Sequence, residues 1–166
     1  MSTEDQILAR LQRLEDELAI TKLLASYGPS VDAGNADNAA ALWATDGTYD
    51  VEDWLMTGRD GVHQMVSSAG HQDLVATGCS HFLGPAVVTV DGDSAVAVCE
   101  SLVLLRDSGV DSGYRVWRAT ANHFALARLD GRWQITTRTS RLLNGNAFAH
   151  TLLDSGLSGS TVPEQI

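Results

Sequence analysis

The chain has 166 residues, 44% of them hydrophobic, which is the size and composition of one globular domain with a core of its own. Its 11 basic residues against 21 acidic ones leave a formal net charge of −10 with no basic run, which excludes nucleic acid as an expected partner. No apolar stretch approaches the length of a membrane span, and the opening residues 1–6 (MSTEDQ) are acidic where a secretory signal is basic and then apolar, so a soluble, cytoplasmic protein is expected.

In chain order, residues 3–27 place Ile7, Leu8, Leu11, Leu14, Leu18, Leu24 and Tyr27 at intervals of three and four, the period of one helix face, and Thr3 with Gln6 has capping-box spacing. Pro29 and Gly34 interrupt this helix. Asn35 or Asp37 can cap a second, short helix through Ala39, Ala40, Leu42 and Trp43. Residues 47–57 read as a strand pair with its turn at Glu52 and Asp53, and Asp60 can cap a third helix carrying Val62, Met65, Val66 and Ala69. Three helices are therefore expected before the main sheet.

Past Gly78 the texture turns to strands, over residues 81–90, 94–106, 114–129 and 132–143. Asp91-Gly92-Asp93 and Asp130-Gly131 are hairpin signals, with a longer loop over residues 107–113. In residues 94–105 both alternation classes are largely apolar, so helices should cover one sheet face and another subunit the other, which predicts a homo-oligomer, a trimer or a dimer. Cys79 and Cys99, without metal or redox spacing, read as free thiols. Residues 1–145 form the expected domain. Residues 146–166 form a tail, anchored by Phe148, Leu152 and Leu153, that either crosses the pocket mouth or is disordered.

Helices first and a strongly curved, mostly antiparallel sheet second make an α+β cone. Residues 20–27, Val31-Asp32 with Gly34 and Asn35, residues 42–48, Gly58-Arg59-Asp60-Gly61, Ser80-His81-Phe82, residues 90–95 and residues 129–135 together resemble the SnoaL-like branch of the nuclear transport factor 2 (NTF2-like) superfamily. That superfamily also includes scytalone dehydratase, bile-acid 7α-dehydratase and lindane dehydrochlorinase. The resemblance implies a basic dyad of Asp32 and His81. An imidazole oriented by a carboxylate can remove a proton from carbon without a metal. Read alone, His81 also fits a core histidine bonded to a carbonyl, and Asp32 a helix cap. The resemblance further implies Tyr27 as a donor to substrate oxygen and Arg138 as a pocket cation. Tyr27 equally fits the end of the helix stripe, and strand parity puts Arg141, not Arg138, in phase with Trp133 and Ile135.

Of Asn122 and His123, adjacent on one strand, only one can face the pocket without a bulge. Glu100 interrupts an apolar strand and reads as a pocket residue or as one half of a buried pair with an arginine such as Arg118. Trp43, Tyr49, Trp54, Met56, Met65 and Phe124 are the expected apolar lining. His63, His71 and His150 have no partner at metal-ligand spacing and read as surface residues; no metal is expected. A second histidine on the strand after His81, and an Asp-Arg-Asp hydrolase set, are both missing. No P-loop, dinucleotide fingerprint, serine elbow or zinc motif occurs, so no cofactor is expected. The reading is a cofactor-independent lyase on a hydrophobic cyclic small molecule. The alternatives are a ketosteroid-isomerase-like or polyketide-cyclase-like enzyme, and a non-catalytic ligand-binding or scaffold member of the fold.

Overall fold

A computed structural model describes residues 2–109 and 113–162, so the loop expected over residues 107–113 lies partly outside the described residues. Helix α1 (Thr3–Ala25) starts one residue earlier than the Thr3–Gln6 pattern suggests: Ser2 is the cap, and its hydroxyl and the Asp5 carboxylate bond each other's backbone N–H. Pro29, which lacks an N–H to continue the ladder, marks the break into α2 (Tyr27–Asp32), and Gly34 (φ +65°) turns the chain into α3 (Ala36–Ala40), capped by Asn35. Trp43 does not end α3. It opens β1 (Trp43–Val51), where parallel pairing with Ile135 draws the backbone into the sheet. The turn to β2 (Trp54–Thr57) has Glu52 and Asp53 at φ 51° and 67°, as a tight hairpin needs.

The expected third helix is two. Asp60 lies inside α4 (Gly58–Ser67), whose cap is Thr57, and extended backbone at Ser68 separates α5 (Ala69–Thr77), with the Ser68 hydroxyl accepting from the His71 N–H. Five helices thus precede β3 (Cys79–Leu83). The strand expected over residues 81–90 is also divided, around Gly84 and Pro85, into β3 and β4 (Val87–Asp91), and both pair with β5 (Ser94–Arg106). β6 (Tyr114–Leu129) and β7 (Arg132–Leu142) follow by hairpins, and the order β2-β1-β7-β6-β5-β3 is antiparallel except at β1–β7. The result is a curved, unclosed sheet with α1 to α5 on its concave side. Ile20, Leu24, Tyr27, Val31, Val62 and Val66 pack there on Ala97, Cys99, Phe124, Leu126 and Ile135. No helix among the described residues is long and apolar enough to cross a membrane.

The tail forms α6 (Ala147–Leu157), which lies on the outer sheet face, where Ala149 and Leu152 pack on Ala121 and the missing Cβ of Gly156 admits Val98. The chain's own C-terminus therefore covers part of the face assigned above to another subunit. A second difference concerns α1. Only Asp16, Ile20 and Leu24 are buried, whereas Ile7, Leu8, Leu11, Leu14 and Leu18 stay 49 to 62% exposed. Most of the apolar stripe thus faces away from the body, and of its residues only Leu24 and Tyr27 are buried.

One buried ion pair anchors α1. Both Asp16 oxygens accept from Arg128 at 2.7 Å and one also from the Trp133 indole at 3.1 Å, while Arg128 stacks on the Trp133 ring. Arg128 is the main cause that lowers the Asp16 pKa from 3.8 to about 2, against burial. A folded-state pKa depressed in this way adds stability above the ordinary carboxylate range that is lost as pH falls through about 2. Asp16→Ala should cost roughly 3 kcal/mol at neutral pH, and the gap to the parent should narrow below about pH 4. Urea midpoints across pH check this; a gap independent of pH contradicts it.

Candidate active site

Two elements far apart in sequence meet at Asp32. Its Oδ2 accepts the His81 backbone N–H at 2.7 Å and its Oδ1 accepts the His81 ring Nδ1–H at 2.6 Å, so α2 is stapled to β3 through one carboxylate. The Cys79 thiol adds a weaker contact to Oδ1 at 3.7 Å. Burial raises the Asp32 pKa, but the His81 ring and backbone bonds and the thiol together outweigh it and hold the carboxyl below its ordinary range. Burial and the neighbouring carboxylate push the Cys79 thiol up to about 11, so it is a donor, not a nucleophile. Because Nδ1 donates to Asp32, neutral His81 presents a bare Nε2. The approach depends on Gly28, where any Cβ would collide with the His81 carbonyl.

Ligand atoms of Asp32, Cys79 and His81 lie within 4.8 Å of one another, a donor set a thiophilic metal could use. Metal ligands at roughly 2.0–2.3 Å in tetrahedral array stand about 3.4 Å apart. The 2.6 Å between Oδ1 and Nδ1 is instead a hydrogen-bond distance, so the group as arranged holds a proton.

His81 lines a cavity of about 290 Å³ between the helices and the sheet. Tyr27, Tyr49, Trp54, Met56, Met65 and Arg138 line it too, as expected from sequence. Trp43 and Phe124 do not: both are fully buried behind the wall, Trp43 in contact with Tyr27 and Tyr49. Asn122 is likewise buried beneath the floor, where its Oδ1 accepts from Arg138 Nε and Nη2 and from Ser140, and its Nδ2 donates to Ser101. Glu100 is exposed, its strand parity being that of Val98 and not of Cys99 and Ser101, and it forms no pair with Arg118. His123 faces outward and donates to the Ser160 carbonyl at 2.8 Å.

A bulge ahead of both rival arginines decides between them. Ala125 pairs with Thr137 but Leu126 pairs with Ile135, so Thr136 is an extra residue that reverses parity. Arg138 and Ile135 thereby share the inner face, and Arg141 turns out to bond Asp50 and Asp53. Arg138 is 3% exposed, with its guanidinium carbon 4.3 Å from the ring centres of both Tyr27 and Tyr49, and its Nη1 has no partner among the described residues. Burial and Tyr49 raise the Tyr27 pKa while Arg138 opposes them, leaving a phenol that donates.

Sequence reasoning missed His71, Arg118, Ser101, Thr120 and Ser140, which all line the cavity. His71 is buried with its ring 5.6 Å from that of His81, and its Nε2–H donates to the Val31 carbonyl at 2.9 Å. Alternation from Cys99 and Asn122 would have placed Ser101 and Thr120 inside.

The sequence pattern of the SnoaL-like domain family matches residues 12–139. An NTF2-like protein with a cystatin-like fold from Novosphingobium aromaticivorans is 39% identical, with a TM-score of 0.87 over 92% of this chain and 98% of that one. Rv3472 of Mycobacterium tuberculosis, of unknown function, has 21% identity and a TM-score of 0.71 over 88% and 92%. A scytalone dehydratase candidate from Novosphingobium aromaticivorans has 20% identity and a TM-score of 0.63 over 78% and 85%, a likeness of fold. No curated protein matches the chain.

Gly28→Ala tests the staple. The added methyl must push α2 off β3, costing roughly 1–3 kcal/mol and loosening the Asp32–His81 bonds. Urea denaturation together with the exchange rate of the His81 amide checks this; an unchanged midpoint and a protected amide contradict it.

Proposed function

This chain belongs to the SnoaL-like domain family, and from that membership and the geometry of its cavity we propose that it is a cofactor-independent lyase of the dehydratase kind, acting on an apolar cyclic small molecule. The observation that carries the reading is the His81 ring, fixed by Asp32 at the wall of a cavity whose other walls include Met56, Met65, Leu74, Leu83 and Leu102. Nε2 takes a proton from the carbon beside the one bearing a hydroxyl. The C–H pair becomes the new C=C bond, the C–O bond breaks, and the departing hydroxide takes the proton back from His81 and leaves as water. Asp32 holds the imidazolium in place, and Tyr27, with Arg138 beneath it, donates to the oxygen on which negative charge develops.

The test is a panel of cyclic β-hydroxy ketones, with release of water followed by mass. His81→Ala and Asp32→Asn should each lose about 10² to 10⁴ in rate. The parent's kcat/KM should fall on the acid side of neutrality, where imidazoles protonate. Parent-like turnover in His81→Ala, or a rate flat down to about pH 4, contradicts the mechanism. Double-bond migration without loss of water would place the dyad in the isomerase reading instead.

We also propose that the chain forms a homo-oligomer through α1. Leu18 lies about 200° around the helix from Asp16, so the stripe Ile7, Leu11, Leu14, Leu18 stands opposite the buried face and cannot reach its own body. Its alternating spacing of four and three is a coiled-coil seam. Antiparallel pairing of two copies sets Ile7 against Leu18 and Leu11 against Leu14, and puts Arg10 of each copy opposite Glu17 of the other; neither charge has an ion-pair partner among the described residues. Light scattering should report a multiple of 17.7 kDa that falls to the single-chain mass when Leu11 and Leu14 are both changed to Glu. A monomeric parent at micromolar concentration contradicts it.

A further inference from the structure

The cavity inverts the charge of the protein that holds it. The chain carries a formal −10, yet no Asp or Glu is among the residues that line the cavity, whereas Arg118, Arg138, His71 and His81 are. The dyad carboxylate sits behind the His81 ring. Neither arginine has a carboxylate partner among the described residues. A cation without a counter-charge in a half-enclosed apolar site raises the local concentration of anions and strengthens their binding.

The two arginines differ in what they have free. Arg138 is bonded to Asn122 through Nε and Nη2 and its faces are covered by Tyr27, Tyr49 and Phe124, which leaves it one buried donor, Nη1, without a partner among the described residues. Arg118, half-buried beside the exposed Trp117, makes no hydrogen bond or ion pair through its guanidinium among the described residues. Its place relative to the base is set by register. His81 on β3 pairs with Val103 on β5, and Val103 with Arg118 on β6, and all three side chains line the cavity. Two strand spacings separate the backbone of Arg118 from that of His81, about 10 Å. The gap is walled by Leu83, Leu102 and Val103, and ends in a fork with paired N–H donors.

We propose that the substrate is a cyclic carboxylic acid whose ring fills the apolar space next to His81 and whose carboxylate is bound by Arg118. This rests on the reading of the cavity as the substrate site and narrows the substrate from any apolar ring to one carrying an anion at a fixed distance from the carbon that loses its proton. Arg118 is thus a specificity-determining residue. Arg138, at the floor, acts on charge that develops during the reaction.

The proposal is tested by equilibrium binding, followed by tryptophan fluorescence and calorimetry, of cyclohexanecarboxylate, benzoate and 2-naphthoate, each against its neutral amide. The parent should bind at least one acid about tenfold more tightly than its amide, the effect of one charge-assisted contact, and the preference should shrink with added salt. Arg118→Gln should bring the acid-to-amide ratio close to one with the amide affinity unchanged, and Arg118→Lys should restore part of it. If no acid binds more tightly than its amide to the parent, or if the ratio survives in Arg118→Gln, the proposal is wrong; survival there with loss in Arg138→Gln would move the anion to the floor. None of these measurements uses His81, so their failure leaves the lyase reading standing, and parent-like turnover in His81→Ala leaves the acid preference standing.

Discussion

Everything about this site depends on one carboxylate bonded twice to one residue. Asp32 lies 49 residues from His81, at the end of a six-residue helix too short to be stable alone, and its two oxygens accept the backbone and ring N–H of that residue. The backbone bond fixes where α2 meets β3, and the ring bond fixes the tautomer and direction of the imidazole. Gly28 on the same short helix lets the backbones approach, and His71 ties α5 to the Val31 carbonyl next to Asp32. The helix layer, the cavity wall and the direction of the imidazole are therefore set by the same contacts. Burial works against the charged carboxylate; the hydrogen bonds from His81 and Cys79 outweigh it. A half-buried acid held in its charged form beside a cavity suits the proton transfer proposed for His81.

The opposite side of the cavity follows a second rule, that a buried cation must be solvated by something. Arg138 has no acid beside it among the described residues; the Asn122 carbonyl and the faces of three aromatic rings take that part. Asn122 in turn is fixed by Ser101 and Ser140, so the floor is one connected polar network that leaves the guanidinium's charge un-neutralised. A carboxylate partner would have cancelled the field that the floor directs into the cavity. Arg141, three residues on and on the other face, shows the alternative: it is paired with Asp50 and Asp53 and serves to hold the β1–β2 turn to the sheet.

The turns were legible because their chemistry is local: Asp91-Gly92 and Asp130-Gly131 need left-handed backbone, and Gly92, Asp130 and Gly131 supply it. The order of helices and strands was legible from periodicity, and the Asp32–His81 pair from two short segments characteristic of one family. What escaped was set by contacts remote in sequence. Trp43 leaves helix for strand because of Ile135, 92 residues away in the order of the chain. The extra residue at Thr136 is invisible in an alternation pattern, and it alone decides between Arg138 and Arg141. His71 looked like a surface residue because its partner is a backbone carbonyl, which no side-chain pattern announces. The apolar stripe on α1 was legible too, but periodicity identifies an apolar face without saying what that face meets.

The state of the His81 ring in solution decides whether this cavity holds a directed base, and nitrogen NMR of selectively labelled histidine reads it directly. The prediction is a single neutral tautomer at pH above neutrality, with the proton on Nδ1, slow to exchange and lost to rapid exchange in Asp32→Ala, and with Nε2 as the nitrogen whose signal moves when a ligand enters the cavity. A ring protonated on Nε2, or one averaging between both tautomers with Asp32 intact, would mean that the carboxylate does not orient the imidazole and that this cavity holds no directed base.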